Sequence, residues 1–242
     1  MALGSRGART MRNTFIAGLT LLSLMFGATA QAAVTVGATR LIYDAKQNEA
    51  NLTVSNREDD SPYLVQSWVS QYGAGNDASL DTFIVTPPLF RLDANKENIL
   101  RVIFTGGAAV PQNQESLFLM NVKAIPAMRD DQRDANVLQI ALKTTIKLFY
   151  RPAGLPGSPK EAVAALDWKA AGDTLSVDNP SKFHVVVSEV KVNGTALSTQ
   201  TDVLKPGEHR VLPVKAKSGD QISLSYIDDY GTSITAPAVT LR

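Results

Sequence analysis

The segment Val137–Pro159, VLQIALKTTIKLFYRPAGLPGSP, decides how the chain is organised. Its first part, Val137–Tyr150, is rich in β-branched and aromatic residues and is longer than the typical strand of about 5–6 residues. Its second part, Arg151–Pro159, contains three prolines and two glycines. A central strand cannot continue through such a segment, because proline has no N–H to donate to a ladder. The segment therefore predicts a long strand that ends in a linker between two domains.

Shorter segments on both sides of this linker have the same strand character. They are separated by Gly, Pro, Asn and Asp, which are typical of turns, and none shows the long 3.6-residue apolar period of a helix. The predicted strands are Asn51–Ser55, Tyr63–Val69, Ile99–Phe104, Leu117–Ile125, His184–Val192 and Gln221–Ile227. The predicted fold class is therefore all-β, with two immunoglobulin-like β-sandwich domains at residues 33–152 and 153–242.

The long strand has a nearly continuous apolar face. Alternate side chains of a strand point to the same side, and here they are Leu138, Ile140, Leu142, Thr144, Ile146 and Leu148. An ordinary sandwich strand with this face in the core would explain the pattern. An edge strand whose apolar face is partly meant for another protein would also explain it. The pattern alone favours the ordinary strand and leaves the second interpretation open.

Residues 1–32 have the order of a secretory signal peptide. Three arginines in the first twelve residues are followed by the uncharged apolar run Phe15–Phe26, and then by small residues up to Ala32. The apolar run is shorter than the ~20 residues that cross a bilayer. We therefore predict export with cleavage after Ala32, in preference to a membrane anchor.

Composition and motifs argue against several classes of function. The chain has no cysteine, which excludes disulfides, thiolate nucleophiles and zinc–sulfur sites. Cleavage would remove three arginines and change the net charge from +1 to −2, so nucleic acid is not an expected partner. Common catalytic motifs are absent, and the two histidines, His184 and His209, do not form a metal-binding pattern. We expect neither an enzyme nor a bound metal or cofactor.

Several motifs resemble those of the periplasmic pilus-assembly chaperones, the PapD-like family. The main one is Val110–Pro126, VPQNQESLFLMNVKAIP, which departs from the family pattern at Leu119, where an aromatic residue is usual. The others are Thr86–Arg91 (TPPLFR), Ile146–Pro152 (IKLFYRP) and Tyr226–Gly231 (YIDDYG). They occur in the family's order and cover essentially the whole chain after residue 32.

The resemblance implies two immunoglobulin-like domains set at an angle, with a cleft between them. Members of the family bind pilus subunits, which are immunoglobulin-like folds that lack a final strand. The long strand of the chaperone fills the gap by donor-strand complementation, and an outer-membrane usher then receives the complex without use of ATP. By this resemblance the chain is expected in the periplasm, with pilus subunits and the usher as partners. Self-association of the free chaperone stays open.

The resemblance also assigns residues to the binding of a subunit. Leu138, Ile140 and Leu142 match the positions that enter the groove of the subunit. Arg40 and Lys147 match the cations that hold its C-terminal carboxylate. Lys147 lies on the opposite side of the strand from the apolar face, and the sequence does not reveal how both reach the same partner.

A third set of matches concerns the link between the domains. Glu115, Arg151 and Asp229 match an ion network that the family uses to set the domain orientation. The short loop Ala127–Asn136, which has no flanking cysteine pair, resembles the short-loop branch of the family.

Two other functions fit an exported β-sandwich protein. A structural pilus subunit or adhesin is usually a single sandwich with an N-terminal extension, which the predicted linker and second domain disfavour. A periplasmic carbohydrate-binding module or hydrolase needs an aromatic platform or paired acids, whereas the aromatic residues are scattered and make up only 7% of the chain.

Overall fold

The computed structural model describes residues 33–106, 110–128, 138–171, 174–197 and 202–241. The predicted signal peptide, residues 1–32, lies outside the described residues. So do Val137 and most of the loop Ala127–Asn136 that precedes the long strand.

The N-terminal half folds as a sandwich of two sheets. Its strands are β1 (Val34–Val36), β2 (Arg40–Asp44), β3 (Ala50–Asn56), β4 (Tyr63–Gln71), β5 (Phe83–Thr86), β6 (Leu89–Leu92), β7 (Glu97–Phe104), β8 (Ser116–Pro126) and β9 (Leu142–Arg151). One sheet has the order β1-β3-β7-β5 and the other the order β2-β9-β8-β4-β6. Every pairing is antiparallel except that of β2 with β9, which is parallel.

Alternation along the strands builds the core of this sandwich. In β7, Leu100 and Val102 are fully buried, while the alternate residues Ile99 and Arg101 are exposed. The core combines aliphatic side chains with a group of rings at one end, where Phe104 lies 4.3 Å from Tyr150 between ring centroids. Rings in tilted contact at this distance stabilise a core beyond their buried area.

Gly37 lets the chain cross from one sheet to the other before β2. Its N–H donates to the carbonyl of Thr53 at 2.8 Å, and a Cβ at this position would lie 3.3 Å from the Cβ and carbonyl oxygen of Thr53. The chain therefore stops pairing with β3 at Gly37 and begins to pair with β9 three residues later, at Arg40. This crossover brings the start of β2 to the middle of β9.

The C-terminal half forms a second sandwich. It contains the helix α1 (Pro159–Ala164) and the strands β10 (Asp167–Ala171), β11 (Thr174–Asp178), β12 (Val185–Val192), β13 (Thr195–Ala196), β14 (Val203–Leu204), β15 (His209–Leu212), β16 (Gln221–Ile227), β17 (Ser233–Thr235) and β18 (Val239–Thr240). One sheet has the order β10-β11-β15. The other has the order β13-β12-β16-β17, with β14 beside β12 and β18 beside β16. Its separate apolar core includes Leu175, Val177, Leu204, Leu212 and Ile222.

The predicted linker, Arg151–Pro159, is tied to both halves. Arg151 is the last residue of β9, and Pro159 is the first residue of α1. The Ser158 hydroxyl caps the helix by accepting from the Glu161 N–H at 3.2 Å, which stabilises its first turn. No helix in the part of the chain that the structure describes combines the length and the apolar character of a membrane span.

The predicted fold class is confirmed, and the predicted strands are present with ends within two residues, apart from the long strand. The structure corrects the start of that strand, because β9 begins at Leu142 and not at Val137. In the observed register, Pro126 of β8 would lie opposite Ile140. Proline has no N–H for the ladder, and the Gln139 side chain donates to the Pro126 carbonyl instead.

Candidate functional site

The two faces of β9 have different surroundings. From Ile146 onward, the even-numbered side chains enter the first core, and Leu148 is completely buried. On the other face, Phe149 packs in a separate cluster with Leu117 and with Val186 of the second sandwich. One strand therefore serves the core of its own sandwich and the contact between the sandwiches.

The even-numbered face continues beyond the core. Leu138, Ile140 and Leu142 are 84%, 61% and 59% exposed, whereas Ile146 is 8% exposed. The sequence pattern does not reveal this change, because the apolar residues continue without interruption. Three consecutive large apolar side chains on one face are unusual when they are exposed to solvent. Such a patch is typical of a surface that binds another protein.

The same part of β9 is an open sheet edge. β8 pairs with β9 from Leu142 onward, but β2 on the other side pairs only with Lys147–Arg151. Among the described residues, no strand covers the outer edge of β9 between Leu142 and Ile146. Its backbone N–H and C=O groups on that side are free to pair with an added strand.

The parallel register of β2 and β9 places Arg40 beside Lys147. Both side chains lie on the face of the sheet that also carries Phe149, opposite the face that enters the first core. Regular alternation is therefore sufficient to bring the two cations together at the junction of the sandwiches. Lys147 and the exposed apolar side chains therefore lie on opposite faces of one edge strand.

Arg40 is a half-buried cation whose donors are incompletely used. Its Nη1 donates to the carbonyl of Ile227 at 3.0 Å, and its guanidinium lies 5.9 Å from the ring centre of Phe149. Among buried side-chain nitrogen and oxygen atoms of the described residues, only Arg40 Nε has no hydrogen-bond partner within the chain. Burial lowers the pKa of Arg40, and the charges of nearby aspartates offset this only in part. A desolvated cation of this kind favours an anion as its partner.

Lys147 already has an acidic partner from the second sandwich. Its Nζ lies 3.0 Å from Oδ1 of Asp202, and the other oxygen of Asp202 accepts from the Tyr72 hydroxyl at 3.0 Å. Burial, followed by this hydrogen bond, raises the pKa of Tyr72 to about 12, so the phenol remains a donor. Lys147 and Asp202 thus form a bridge across the junction of the sandwiches.

A second ionic bridge lies further along β9. Arg151 donates from Nη2 to Glu115 at 2.8 Å and from Nη1 to Asp229 at 2.8 Å. Glu115 also accepts from the His184 N–H at 2.9 Å, and the ring Nδ1 of His184 lies 3.1 Å from the same oxygen. Burial opposes the charge of Arg151, but hydrogen bonds and the charges of both acids outweigh it and raise its pKa. Arg151 is therefore in direct contact with both of the acids that matched the family's ion network.

Asp202, Tyr72 and the role of His184 beside Glu115 were missed by the sequence analysis. Tyr72 and Asp202 are 130 positions apart, and neither stands in a motif. Asn121 does stand in the matched signature, and it contacts β9 by accepting from the Thr145 hydroxyl at 2.9 Å. Only His184 carried a usable signal, since a histidine at the start of an apolar strand requires a polar partner.

The described residues contain no group of three or more His, Cys, Asp or Glu side chains that could hold a metal ion. His209 contacts a single acid, Asp178, with 2.6 Å between Nδ1 and Oδ1 at the surface of the second sandwich. The features described here that could bind a partner are the apolar edge strand β9 and the two cations.

Comparison with known families gives matches to both halves of the chain. The model of the pili and flagellar-assembly chaperone PapD N-terminal domain matches residues 33–156. The model of the pili assembly chaperone PapD C-terminal domain matches residues 161–238.

Individual relatives agree with these matches. The probable fimbrial chaperone LpfB of Escherichia coli O157:H7 is 40% identical over 226 residues, which cover 93% of this chain and 95% of that protein. The chain is also similar to a solved structure of the Salmonella enterica SafA pilin in complex with the SafB chaperone. The match has 32% identity and a TM-score of 0.74, and it covers 88% of this chain and 99% of the matched chain. The periplasmic chaperone SfaE matches with 34% identity and a TM-score of 0.68, over 86% of this chain and 98% of the other.

Proposed function

The chain belongs to the family of PapD-like pilus-assembly chaperones and is a fimbrial chaperone; from this premise we propose that it holds pilus subunits through β9 and the cations Arg40 and Lys147. The observation that carries the proposal is the open edge of β9, where an exposed apolar face runs into a buried one. Family membership decides against the alternatives of a structural pilus subunit and a carbohydrate-binding protein.

Donation of β9 would satisfy both needs of an incomplete sandwich. A fold that lacks one strand exposes unpaired backbone groups beside an open apolar groove, and both promote aggregation. The free edge of β9 supplies hydrogen-bonding groups, while Leu138, Ile140 and Leu142 supply alternate apolar side chains. Burial of three such side chains contributes about 5–9 kcal/mol, before the costs of association and ordering.

The two cations would fix the position of the added strand. A C-terminal carboxylate can accept charge-assisted hydrogen bonds from a guanidinium and an ammonium together. The unpaired Nε of Arg40 and the neighbouring register position of Lys147 support this anchor. Because Lys147 lies on the strand that donates the apolar side chains, and Arg40 lies beside it on β2, the anchor would set the register between those side chains and the groove.

The wider role of the chain follows from the same proposal. We propose that residues 1–32 direct it to the periplasm, and that residues 33–152 and 153–242 are its two functional domains. It would act by binding alone, without catalysis or a cofactor, and would deliver each subunit to an outer-membrane usher. The periplasmic location of SfaE supports the first point.

Co-purification with a subunit tests the anchor. Tagged chaperone is expressed in cells that also produce its fimbrial operon, and the recovered subunit is measured by mass spectrometry. We expect Arg40→Ala and Lys147→Ala to lose the subunit while keeping the thermal unfolding of a folded protein. Lys169→Ala is the matched control, since Lys169 is an exposed, ion-paired lysine of the second sandwich. Recovery of subunit at the parental level with either anchor variant would contradict the proposal.

A further inference from the structure

Asp202 is the one acid that contacts Lys147 among the described residues. It is held from two sides. Its backbone carbonyl accepts from the Val187 N–H of β12 at 3.0 Å, and its Oδ2 accepts from the Tyr72 hydroxyl at 3.0 Å. The remaining oxygen, Oδ1, faces Lys147 Nζ at 3.0 Å. A carboxylate is therefore presented to the lysine by groups from both sandwiches.

The two cations of the anchor differ in how fully their charged groups are paired within the chain. Lys147 has a complete ion pair, with side-chain exposures of 25% for the lysine and 56% for Asp202. Arg40 has a carbonyl partner for Nη1 and no partner for the buried Nε. The other acids near Arg40 are Asp228 and Asp229; Asp229 is bound to Arg151, and Asp228 accepts from the N–H groups of its own turn.

An incoming terminal carboxylate would meet Asp202 at the same ammonium group. Two carboxylates beside one lysine repel each other, and the solvent-exposed position of Asp202 gives it a route to water. Lys147 would then exchange one carboxylate for another, so that the release of Asp202 reduces the net gain from that contact. The buried Nε of Arg40, which has no partner in the free protein, would contribute to the anchor without such a cost.

We propose that Asp202, held by Tyr72, is an affinity-determining residue of the carboxylate site, which occupies Lys147 in the free chaperone and competes with the terminal carboxylate of the subunit. This inference rests on the proposed function. Its consequence is a carboxylate anchor weaker than two free cations would give, which keeps the subunit exchangeable.

Paired peptides test the competition directly. Two synthetic peptides carry the C-terminal strand sequence of the subunit that co-purifies with the chaperone, one with a free carboxylate and one amidated. Their dissociation constants are measured by calorimetry for the parent and for Asp202→Asn. We expect Asp202→Asn to bind the free-carboxylate peptide about two- to fivefold more tightly, the range that one exposed ion pair produces. Binding of the amidated peptide should stay unchanged.

Two further variants complete the experiment. Asp93→Asn removes a surface acid of similar exposure that is paired with Arg91, and we expect no change with either peptide. Tyr72→Phe removes the hydroxyl that holds Asp202 and should shift the free-carboxylate peptide in the same direction as Asp202→Asn, by a smaller factor. Thermal unfolding of each variant verifies that it is folded.

The outcomes separate this inference from the proposed function. If the parent binds both peptides with equal affinity, the proposed carboxylate anchor is wrong. The proposed competition by Asp202 is then wrong as well. If the parent prefers the free carboxylate but Asp202→Asn binds it no more tightly, the anchor stands and the competition is wrong. Weaker binding by Asp202→Asn would also overturn the inference, because Asp202 would then position Lys147 for the subunit.

Discussion

At the scale of single residues, Glu115 is a carboxylate with a side-chain exposure of only 1%. Such a group is stable only when its charge is compensated, because burial of an unpaired carboxylate is costly. Arg151 supplies that compensation with two hydrogen bonds, at 2.8 and 3.0 Å. Asp229 occupies the other side of the same guanidinium but is 34% exposed. The network is therefore asymmetric, with one acid that depends on Arg151 and one that water can partly solvate.

This asymmetry predicts the order of stability losses. Arg151→Ala should lower the free energy of unfolding by about 3–5 kcal/mol, because it leaves Glu115 buried without its cation. Asp229→Ala should cost about 1 kcal/mol or less, since Arg151 keeps Glu115 and the lost pair is partly exposed. Denaturant titration of both variants measures the difference. Equal losses would mean that the burial of Glu115 does not govern the network.

At the scale of elements, β9 combines two kinds of strand in one segment. The part from Lys147 onward lies between β2 and β8, and the even-numbered side chains from Ile146 onward are buried in the first core. The part before it has a single neighbour and exposes its apolar side chains. One part of β9 is thus a core strand and the other part is an edge strand. The boundary between them lies where β2 begins to pair with β9.

A charge scan along β9 tests this boundary. Leu142→Asp should leave thermal unfolding nearly unchanged, because the side chain is exposed in the free protein, but it should abolish recovery of subunit by placing a charge in an apolar groove. Ile140→Asp should behave in the same way. Ile146→Asp has the same chemistry and parity and should destabilise the fold by several kcal/mol, since that position is buried.

The pair of results decides between the two interpretations of the long strand. A folded Leu142→Asp protein that retains its subunit would contradict strand donation. An unfolded Leu142→Asp protein would assign the position to the core of the free chaperone.

At the scale of the whole molecule, the sandwiches meet through an apolar cluster and a close turn. The cluster joins Leu117 and Phe149 to Val186 and Val203. The turn after β16 approaches the start of β2, where a Cβ on Gly231 would lie only 2.3 Å from Oγ1 of Thr39. Thr39 precedes Arg40, so this contact between the sandwiches lies directly beside the proposed anchor.

Gly231→Ala should therefore loosen the junction. It combines a positive φ of +86° with a steric clash against Thr39, whereas Gly219→Ala, at a φ of +91°, meets nothing within 4 Å. We expect Gly219→Ala to cost about 1–2 kcal/mol from its backbone conformation alone and Gly231→Ala about 1–3 kcal/mol more. The second change should also alter the solution scattering profile. Thr39→Ala in the Gly231→Ala background should recover much of the extra loss, and failure to recover it would contradict the steric explanation.

Export is a further prediction at this scale. Intact-mass measurement of the periplasmic protein should give a chain that begins at Ala33, because residues 1–32 have the basic, apolar and small-residue order of a signal peptide. A periplasmic chain that keeps Met1 would contradict cleavage.

Period-two alternation and turn residues were sufficient to predict most of the strands. The bounds of β16 were predicted without error, and β8 differs by one residue at each end, because both are long segments with strong patterns. The short strands β1, β2 and β13 carry too little pattern to detect alone. The start of β9 was wrong because it depends on its neighbour, where Pro126 ends the ladder.

The sequence by itself determined the strand character of Leu142–Tyr150, the uninterrupted apolar pattern of the segment that contains it and the linker that follows. These are local properties, set by side-chain chemistry and alternation. Only the tertiary structure decided where that face leaves the core, which depends on how far β2 pairs along β9. It also decided that Lys147 meets Asp202, which lies 55 positions away. Contacts of this kind follow from the packing of two sandwiches, and no pattern along one strand contains that information.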